Sequence, residues 1–487
     1  MFALSGRSAP ARNTVNAAAA VPRCRHSASA AWLSPPQVLV ADHGATAAAA
    51  RGGVVGSVVG RHVCFRSPGV GNVNHHAARA NRFDRMVGVT QGFDVRGRPL
   101  YPGELAAWLA EHSLGSRFAL GIVNTGHGCR ATATGMAIVA ADGDARHLDL
   151  AALIPEDSAA LASWLADPGP PKAVHDAKLT AHAVAAHGWT LRGITSDTML
   201  AAFLLEPGRR VQNLNDVLVR HMRCALPADA LHSPQPDAVI LRTCAVLDLA
   251  DALDEDLART ESSAVLNRLE LPLSRVLTAM ETTGFAVDRA RFPDASAALA
   301  GNRIRPVYHR AANAAGRVRL SVPGGDGLDL SDRRDAVRTG EGYHELLVAS
   351  FAHLEARIAV DLPVTLDRAR ELGYVATKLG RRRYVSGIGS ADLAVREVAD
   401  TAAKAFVLSG TMADIIATAM ITSCEAISAA ALESRLVLQW EDELVFEVAD
   451  GERDRLVELL GEDFARIEAL EPELRCGDTW SAARPVR

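Results

Sequence analysis

With 487 residues, 48% of them hydrophobic and 22% charged, the chain has the composition of a globular protein with room for two or three cores. A formal net charge of -5 excludes a generally basic nucleic-acid coat, although a local basic groove is compatible with it. An aromatic content of 5% leaves few platforms for base stacking.

The 7 cysteines are scattered and no pair has CxxC spacing, so neither a zinc site nor a disulfide framework is expected. A reducing compartment fits, the cytoplasm with its nucleoid. No apolar run reaches transmembrane length.

Residues 1–85 are rich in Ala, Arg, Ser, Gly and Val, with Asp42 and Asp84 as the only acids. We expect a disordered extension. It reads as sequence upstream of a true start at Met86, or as an organelle transit peptide, which would imply import.

Folded character begins near Tyr101. Phe118 to Val123, Gly135 to Ala140 and Arg146 to Leu150 read as strands, with Asp142-Gly143 as a turn. Ala159 to Leu165 reads as a helix ended by the Pro-Gly-Pro-Pro loop at 168–171, and Leu179 to His187 as a second helix. Asp197 is placed to cap a helix from Thr198 to Leu205. Strands first and helices after predict an α/β domain over 86–265.

Leu269, Leu273, Val276, Leu277 and Met280 fall on one helical face, closed by Gly284 and followed by Phe285-Ala286-Val287. A weakly patterned stretch carries Arg303, Arg305, Arg310, Arg317 and Arg319, a basic strip or solvated surface. Gly324, Gly325 and Gly327 lack the Lys-Ser/Thr tail of a phosphate loop. Strong patterning returns in the last third: a strand from Glu345 to Phe351, helices to about Ile427, and a final helix from Arg453 to Leu470.

Between those helices, Leu436-Val437-Leu438-Gln439-Trp440 and Leu444-Val445-Phe446-Glu447-Val448 flank Glu441, Asp442 and Glu443. A strand, a tight acidic turn and a second strand would project three carboxylates at a sheet edge. Such a cluster suits a divalent-metal site for phosphoryl transfer; it is equally a solvated hairpin turn.

In this order the pieces resemble a family A DNA polymerase of the bacterial DNA polymerase I type, without its 5′-nuclease domain. Lys172-Ala173-Val174-His175-Asp176-Ala177-Lys178 and Gly188 to Thr198 look like its exonuclease-type domain. Leu271-Pro272-Leu273 through Asp288 looks like the opening of the polymerase half. Gly373-Tyr374-Val375 with Leu379 to Tyr384, Gly410 to Ile416, and the acidic hairpin look like palm motifs. The resemblance implies an α/β, ribonuclease H-like exonuclease domain followed over 266–487 by an α+β polymerase palm.

It also implies two metal-binding aspartates. Asp442, with Glu443 beside it, matches the second, and Mg²⁺ would be the cofactor of an active enzyme. Ser350 occupies the position of the first, and a neutral hydroxyl cannot replace a bridging carboxylate for a hard cation. Glu355 and Arg357 match the family. After Leu362 the chain runs almost directly to Gly373-Tyr374, leaving no room for the fingers that grip the triphosphate, and most of the thumb expected between Phe292 and Arg317 is missing.

The minor-groove-reading Arg, Asn and Gln correspond to Thr401, Ala405 and Ser409, and the histidine before the aspartate to Glu441. Arg317, Arg381, Arg382, Arg383 and Arg396 are left as nucleic-acid contacts. In the exonuclease half, Val123 to His127 carries no Asp-x-Glu, Asp176 and Thr180 stand for the second motif, and only Asp248 remains of the third. His175 is read as a surface or capped histidine in preference to a ligand.

Two functions are expected from this. One is a non-catalytic polymerase descendant binding DNA, as primer–template or single strand, or a replication or repair protein, with no membrane. The other is an active DNA polymerase with a rearranged two-metal site at Asp442 and Glu443, completed by Glu441 or Glu355.

Overall fold

Alternation of large and small apolar residues builds the first sheet. Phe118 and Leu120 point to one face and Ala119 to the other, and the helices divide accordingly. The structure, a computed structural model, describes residues 97–486 apart from 114, 208–211, 289–316, 319–333, 353, 355–361 and 468–469. The expected leader at 1–85, Arg303, Arg305, Arg310 and Arg319, the glycine loop at 323–327, and Glu355 with Arg357 lie outside the described residues.

The first unit runs β1 (Gly97–Pro99), α1 (Leu105–His112), β2 (Phe118–Thr125), β3 (Thr132–Val139), β4 (Ala145–Asp149), α2 (Pro155–Ala166), β5 (Lys172–Val174), α3 (Ala177–Ala185), β6 (Ile194–Asp197), α4 (Thr198–Leu205), α5 (Leu214–Met222) and α6 (Pro236–Arg259). Its mixed sheet has the order β1-β4-β3-β2-β5-β6, with β2–β3 and β3–β4 antiparallel and the other pairs parallel. On one face α1 and α2 bury Trp108, Leu161 and Trp164 against Phe118 and Met136. On the other, α6 lays Val239, Ile240, Val246 and Leu247 on a floor of alanines. Small residues there let the helix come close to the sheet.

A short helical stretch with a π turn at Leu266–Glu270 leads directly into α7 (Leu271–Thr283). Pro272 has no N–H to return to the carbonyl four residues back, which favours a widened turn at this place. Gly284 then takes φ +65 and frees the chain for β7 (Phe285–Val287), which pairs with β8 (Arg317–Val318) and β9 (Val337–Arg338). Arg317 thus lies opposite Ala286.

The second unit continues with β10 (Tyr343–Ser350), α8 (Leu362–Leu372), β11 (Tyr374–Ala376), β12 (Arg382–Tyr384), α9 (Leu393–Ala429), β13 (Arg435–Trp440), β14 (Glu443–Ala449), α10 (Arg453–Ala465), β15 (Glu473–Gly477) and β16 (Arg484–Pro485). Its antiparallel sheet has the order β13-β14-β10-β15-β16. Leu347, Leu444 and Phe446 face α9 and α10 through Ile416, Met420, Leu460 and Phe464. Leu346, Val348 and Val445 face Phe285, Val337 and Trp480.

The first half of α9 carries a separate small core of Leu366, Ala369, Val375, Ile388, Ala403 and Val407, closed by α8 and the β11–β12 hairpin. Within its 37 residues α9 has a window apolar enough to cross a membrane by composition, and 56% of that window is buried inside the molecule. The two units meet where α3 packs on α7. Glu281 accepts from Lys178 Nζ and His182 Nε2, both at 2.7 Å. Burial works to raise the Glu281 pKa, but His182 and Lys178 outweigh it and hold the carboxyl below its ordinary value.

Candidate functional site

The acidic hairpin forms, and its register decides what each acid does. Trp440 pairs with Glu443, so Glu441 and Asp442 alone make the turn. Glu441 sits in the left-handed region at φ +51, the geometry a two-residue hairpin needs. Its carbonyl accepts from Gln439 Nε2 at 2.7 Å. The Asp442 carbonyl accepts from Phe351 N at 2.8 Å, which ties the turn to the end of β10. Ser350 lies directly opposite Glu443. Position 350 and the hairpin therefore converge, as the resemblance implies.

Glu443 departs from the expectation of a metal-facing carboxylate. Its side chain turns inward and is buried. Trp480 Nε1 donates to it at 2.9 Å, Arg334 Nη1 approaches to 2.8 Å, and Arg475 Nη2 makes a second ion pair. The Arg334 guanidinium lies 4.6 Å over the Trp480 ring. Both carboxylate oxygens are thus engaged by fixed donors. Asp442 is half-buried, on the turn.

A two-ion centre needs carboxylates converging from separate strands. Here one strand offers a hydroxyl at Ser350, and on the hairpin Glu443 is already neutralised by guanidinium groups, which leaves Asp442 on the turn as a single carboxylate beside Ser350. Among the described residues no three His, Cys, Asp or Glu side chains stand together as ligands. The residues present do not fit a pair of Mg²⁺ ions. Arg475 and Trp480 come from a C-terminal segment that carries no strong pattern. The only local signal was the period-2 spacing of Leu474 and Cys476 against Arg475.

The arginine run divides three ways. Arg381 is a correction to the expected phosphate contact: it is buried, with Nε 2.8 Å from Asp414 and Nη1 2.5 Å from Glu270. Thr377 Oγ1 donates to Asp414 at 2.6 Å. Burial works to lower the Arg381 pKa, but Glu270 and Asp414 outweigh it and keep the guanidinium charged. Arg382 pairs with Glu261 at the surface, and Arg383 lies beside Phe406. Arg396 donates to the Ser390 carbonyl at 2.9 Å and so braces the loop before α9. Thr401, Ala405 and Ser409 form an exposed stripe on α9.

In the first unit Asp176 caps α3 through Leu179 N at 3.0 Å and takes φ +70. Thr180 Oγ1 turns back to the Asp176 carbonyl. Asp197 accepts from the backbone of Asp176, Ala177, Met199 and Leu200. Burial raises the pKa of both carboxyls, and Asp197 adds to the effect on Asp176. Asp248 is buried on α6. That helix lies so close to β2 that a Cβ on Gly121 would meet Thr243 Oγ1 at 2.1 Å. These carboxylates serve as caps and core groups.

His175 is partly buried, neither a surface residue nor a member of a ligand cluster, and its Nδ1 meets Thr198 Oγ1 at 2.8 Å. Burial pushes its pKa down to about 4. The unfolded chain takes up this proton near its ordinary value and the folded one does not. Folded stability should therefore fall as pH drops from about 6.5 toward 4, by no more than about 3 kcal/mol. Urea unfolding at several pH values should show that slope, and His175→Asn should flatten it; an unchanged slope would remove His175 as its source.

Comparison with known proteins agrees with this architecture. The profile described as DNA polymerase family A matches residues 333–482. The profile for the DNA polymerase I ribonuclease H-like domain matches 129–230. DNA polymerase I of Mycobacterium tuberculosis is 31% identical over 593 residues, covering 81% of this chain and 66% of the relative. That of Mycobacterium leprae is 28% identical over 602, covering 82% and 66%.

The chain thus spans about two thirds of the length of these curated relatives. Since 81% of 487 residues is about 394, roughly 200 of the 593 aligned positions face gaps. A solved polymerase domain of Pol1 from M. smegmatis, in complex with DNA primer-template and dNTP, superposes with a TM-score of 0.69 at 33% identity. The match covers 80% of this chain and 100% of that one. On sequence, fold and motif order together, the chain belongs to DNA polymerase family A and is of the DNA polymerase I type.

Proposed function

We propose that this chain is a non-catalytic family A descendant that binds DNA in replication or repair through its two retained units. The observation that carries the reading is the engagement of Glu443 by Arg334, Arg475 and Trp480 opposite the neutral Ser350. Guanidinium groups stand where divalent cations would have to be attracted, so the local charge works against ion capture. Between β10 and the Gly373 turn the described chain offers only α8, with 11 residues, where the family carries its fingers. Without that subdomain, no clamp for a triphosphate stands among the described residues. The M. smegmatis relative was solved with primer–template DNA, and the exposed stripe at Thr401, Ala405 and Ser409 can approach a duplex without reading it.

Primer extension with Mg²⁺ or Mn²⁺ should give no product above an Asp442→Ala control. Binding of the same DNA should weaken steeply with salt, because phosphate contacts release counterions. Templated incorporation that Asp442→Ala abolishes would overturn the non-catalytic reading. Absence of DNA binding at low salt would overturn the rest.

A further inference from the structure

The first half of α9 is buried on one side and exposed on the other. Ala399, Ala403 and Val407 lie in the small core beneath α8 and the β11–β12 hairpin. Opposite them, at a helical turn of about 100° per residue, stand Ala394, Val398, Thr401 and Ala405, all exposed. Their spacing alternates between four and three residues, which is the period of a seam between two helices. Val398 is 53% exposed, and Leu393 at the start of the helix 59%.

Two charges flank this stripe on the same side, Glu397 and Lys404. Both are exposed, and among the described residues neither makes an ion pair. Asp400, the acid one turn before Lys404, is taken by Arg370 at 2.8 Å. Glu397 and Lys404 are seven residues apart, about 10 Å along the axis, too far to pair within one helix. Across an antiparallel pair of helices they fit. The register that layers Val398 on Thr401 of a second copy, and Ala405 on its Ala394, sets Glu397 beside Lys404 of that copy, twice by symmetry. A parallel pair would set these two charges against Ala402 and Ser409 instead.

We propose that this face of α9 is an interface between two copies of the chain, packed antiparallel about a two-fold axis and held in register by two Glu397–Lys404 contacts. An unrelated apolar segment would leave both charges unanswered, whereas a second copy supplies the opposite charge at each. Alanine and threonine in the seam admit a close approach of the two axes, toward the short end of the range of about 8–10 Å. The contact from Leu393 to Ala405 is about 20 Å long. It falls short of the roughly 800 Å² per partner of a standard interface, so the dimer is weak and concentration-dependent. The inference goes beyond the DNA-binding reading. Thr401 and Ala405 lie in the seam, so a second copy and a duplex exclude one another on this stripe.

Sedimentation velocity of the full chain without DNA, from about 1 to 200 µM, tests this. The weight-average mass should rise with concentration from near 51.6 kDa toward twice that value. Val398→Asp, at an exposed position where a charge costs the fold little, should hold the chain near the monomer mass throughout. Glu397→Lys should weaken the dimer about tenfold by setting lysine beside lysine, and the double change Glu397→Lys with Lys404→Glu should restore it. A chain that stays monomeric over the whole range, a dimer that Val398→Asp or Glu397→Lys leaves as strong, or a double change that recovers nothing overturns the inference. Each readout is independent of DNA binding.

Discussion

Replacing Glu443 by alanine is expected to lower the free energy of unfolding by about 3–5 kcal/mol, measured by urea denaturation. The loss follows from what remains: two guanidinium groups and the Trp480 N–H facing a buried space with no acceptor. Glu443→Gln, which keeps an acceptor for the indole, should cost less. The opposite reading makes the opposite forecast. A carboxylate displayed beside Glu441 and Asp442 for a metal would suffer their repulsion, and its removal would leave the fold as stable or more so. Parent-like stability in Glu443→Ala would return that residue to the surface and reopen the metal-binding reading.

The second large effect belongs to Arg381→Met. Removing this guanidinium leaves Glu270 and Asp414 buried near one another without a cation, again a loss of about 3–5 kcal/mol. The pH dependence then has a definite sign. In the parent, burial already raises the Asp414 carboxyl above its ordinary value, with Arg381 opposing the rise. Without Arg381 the folded-state pKa climbs further above the unfolded one. The variant should therefore regain stability as pH falls below the folded pKa, and lose it as pH rises through it. Unfolding midpoints at pH 5 and pH 8 would show this. A phosphate-contacting Arg381 would instead leave stability unchanged and weaken DNA binding at every pH.

Much of the fold was legible because local patterning and final burial agree. The strands at Phe118, Gly135 and Arg146, the capped helix after Asp197, the helix ended by Gly284, and the acidic hairpin all lie near their predicted positions. Some boundaries moved. The predicted final helix stops at Ala465. The strands β15 and β16 went unread because a short segment with Arg475 and Gly477 has too few apolar alternations to register. The 24-residue α6 was also missed, since its apolar face alternates with the acids Asp248, Asp251 and Asp254.

The candidate site was legible as a position but not as a state. Register alone brings Ser350 opposite Glu443, and that position 350 carries a hydroxyl can be read from the residue itself. Whether a neighbouring carboxylate faces solvent depends on Arg334, Arg475 and Trp480, which lie far from it in the chain or on another strand. The arginine run shows the same division. Three adjacent residues look alike on paper, yet alternation turns Arg381 and Arg383 toward α9 and Arg382 away from it, and only Arg381 meets buried carboxylates there, Glu270 and Asp414.

By itself the sequence determined the order of elements, the polymerase I kinship, the uncharged residue at position 350 and the shortness of the segment before Gly373. Those are properties of residue type, period and length. Only the tertiary structure decided that Glu443 is internally neutralised and that Arg381 is a core cation. A side chain's charge is local, but the partners that satisfy it are assembled by folding.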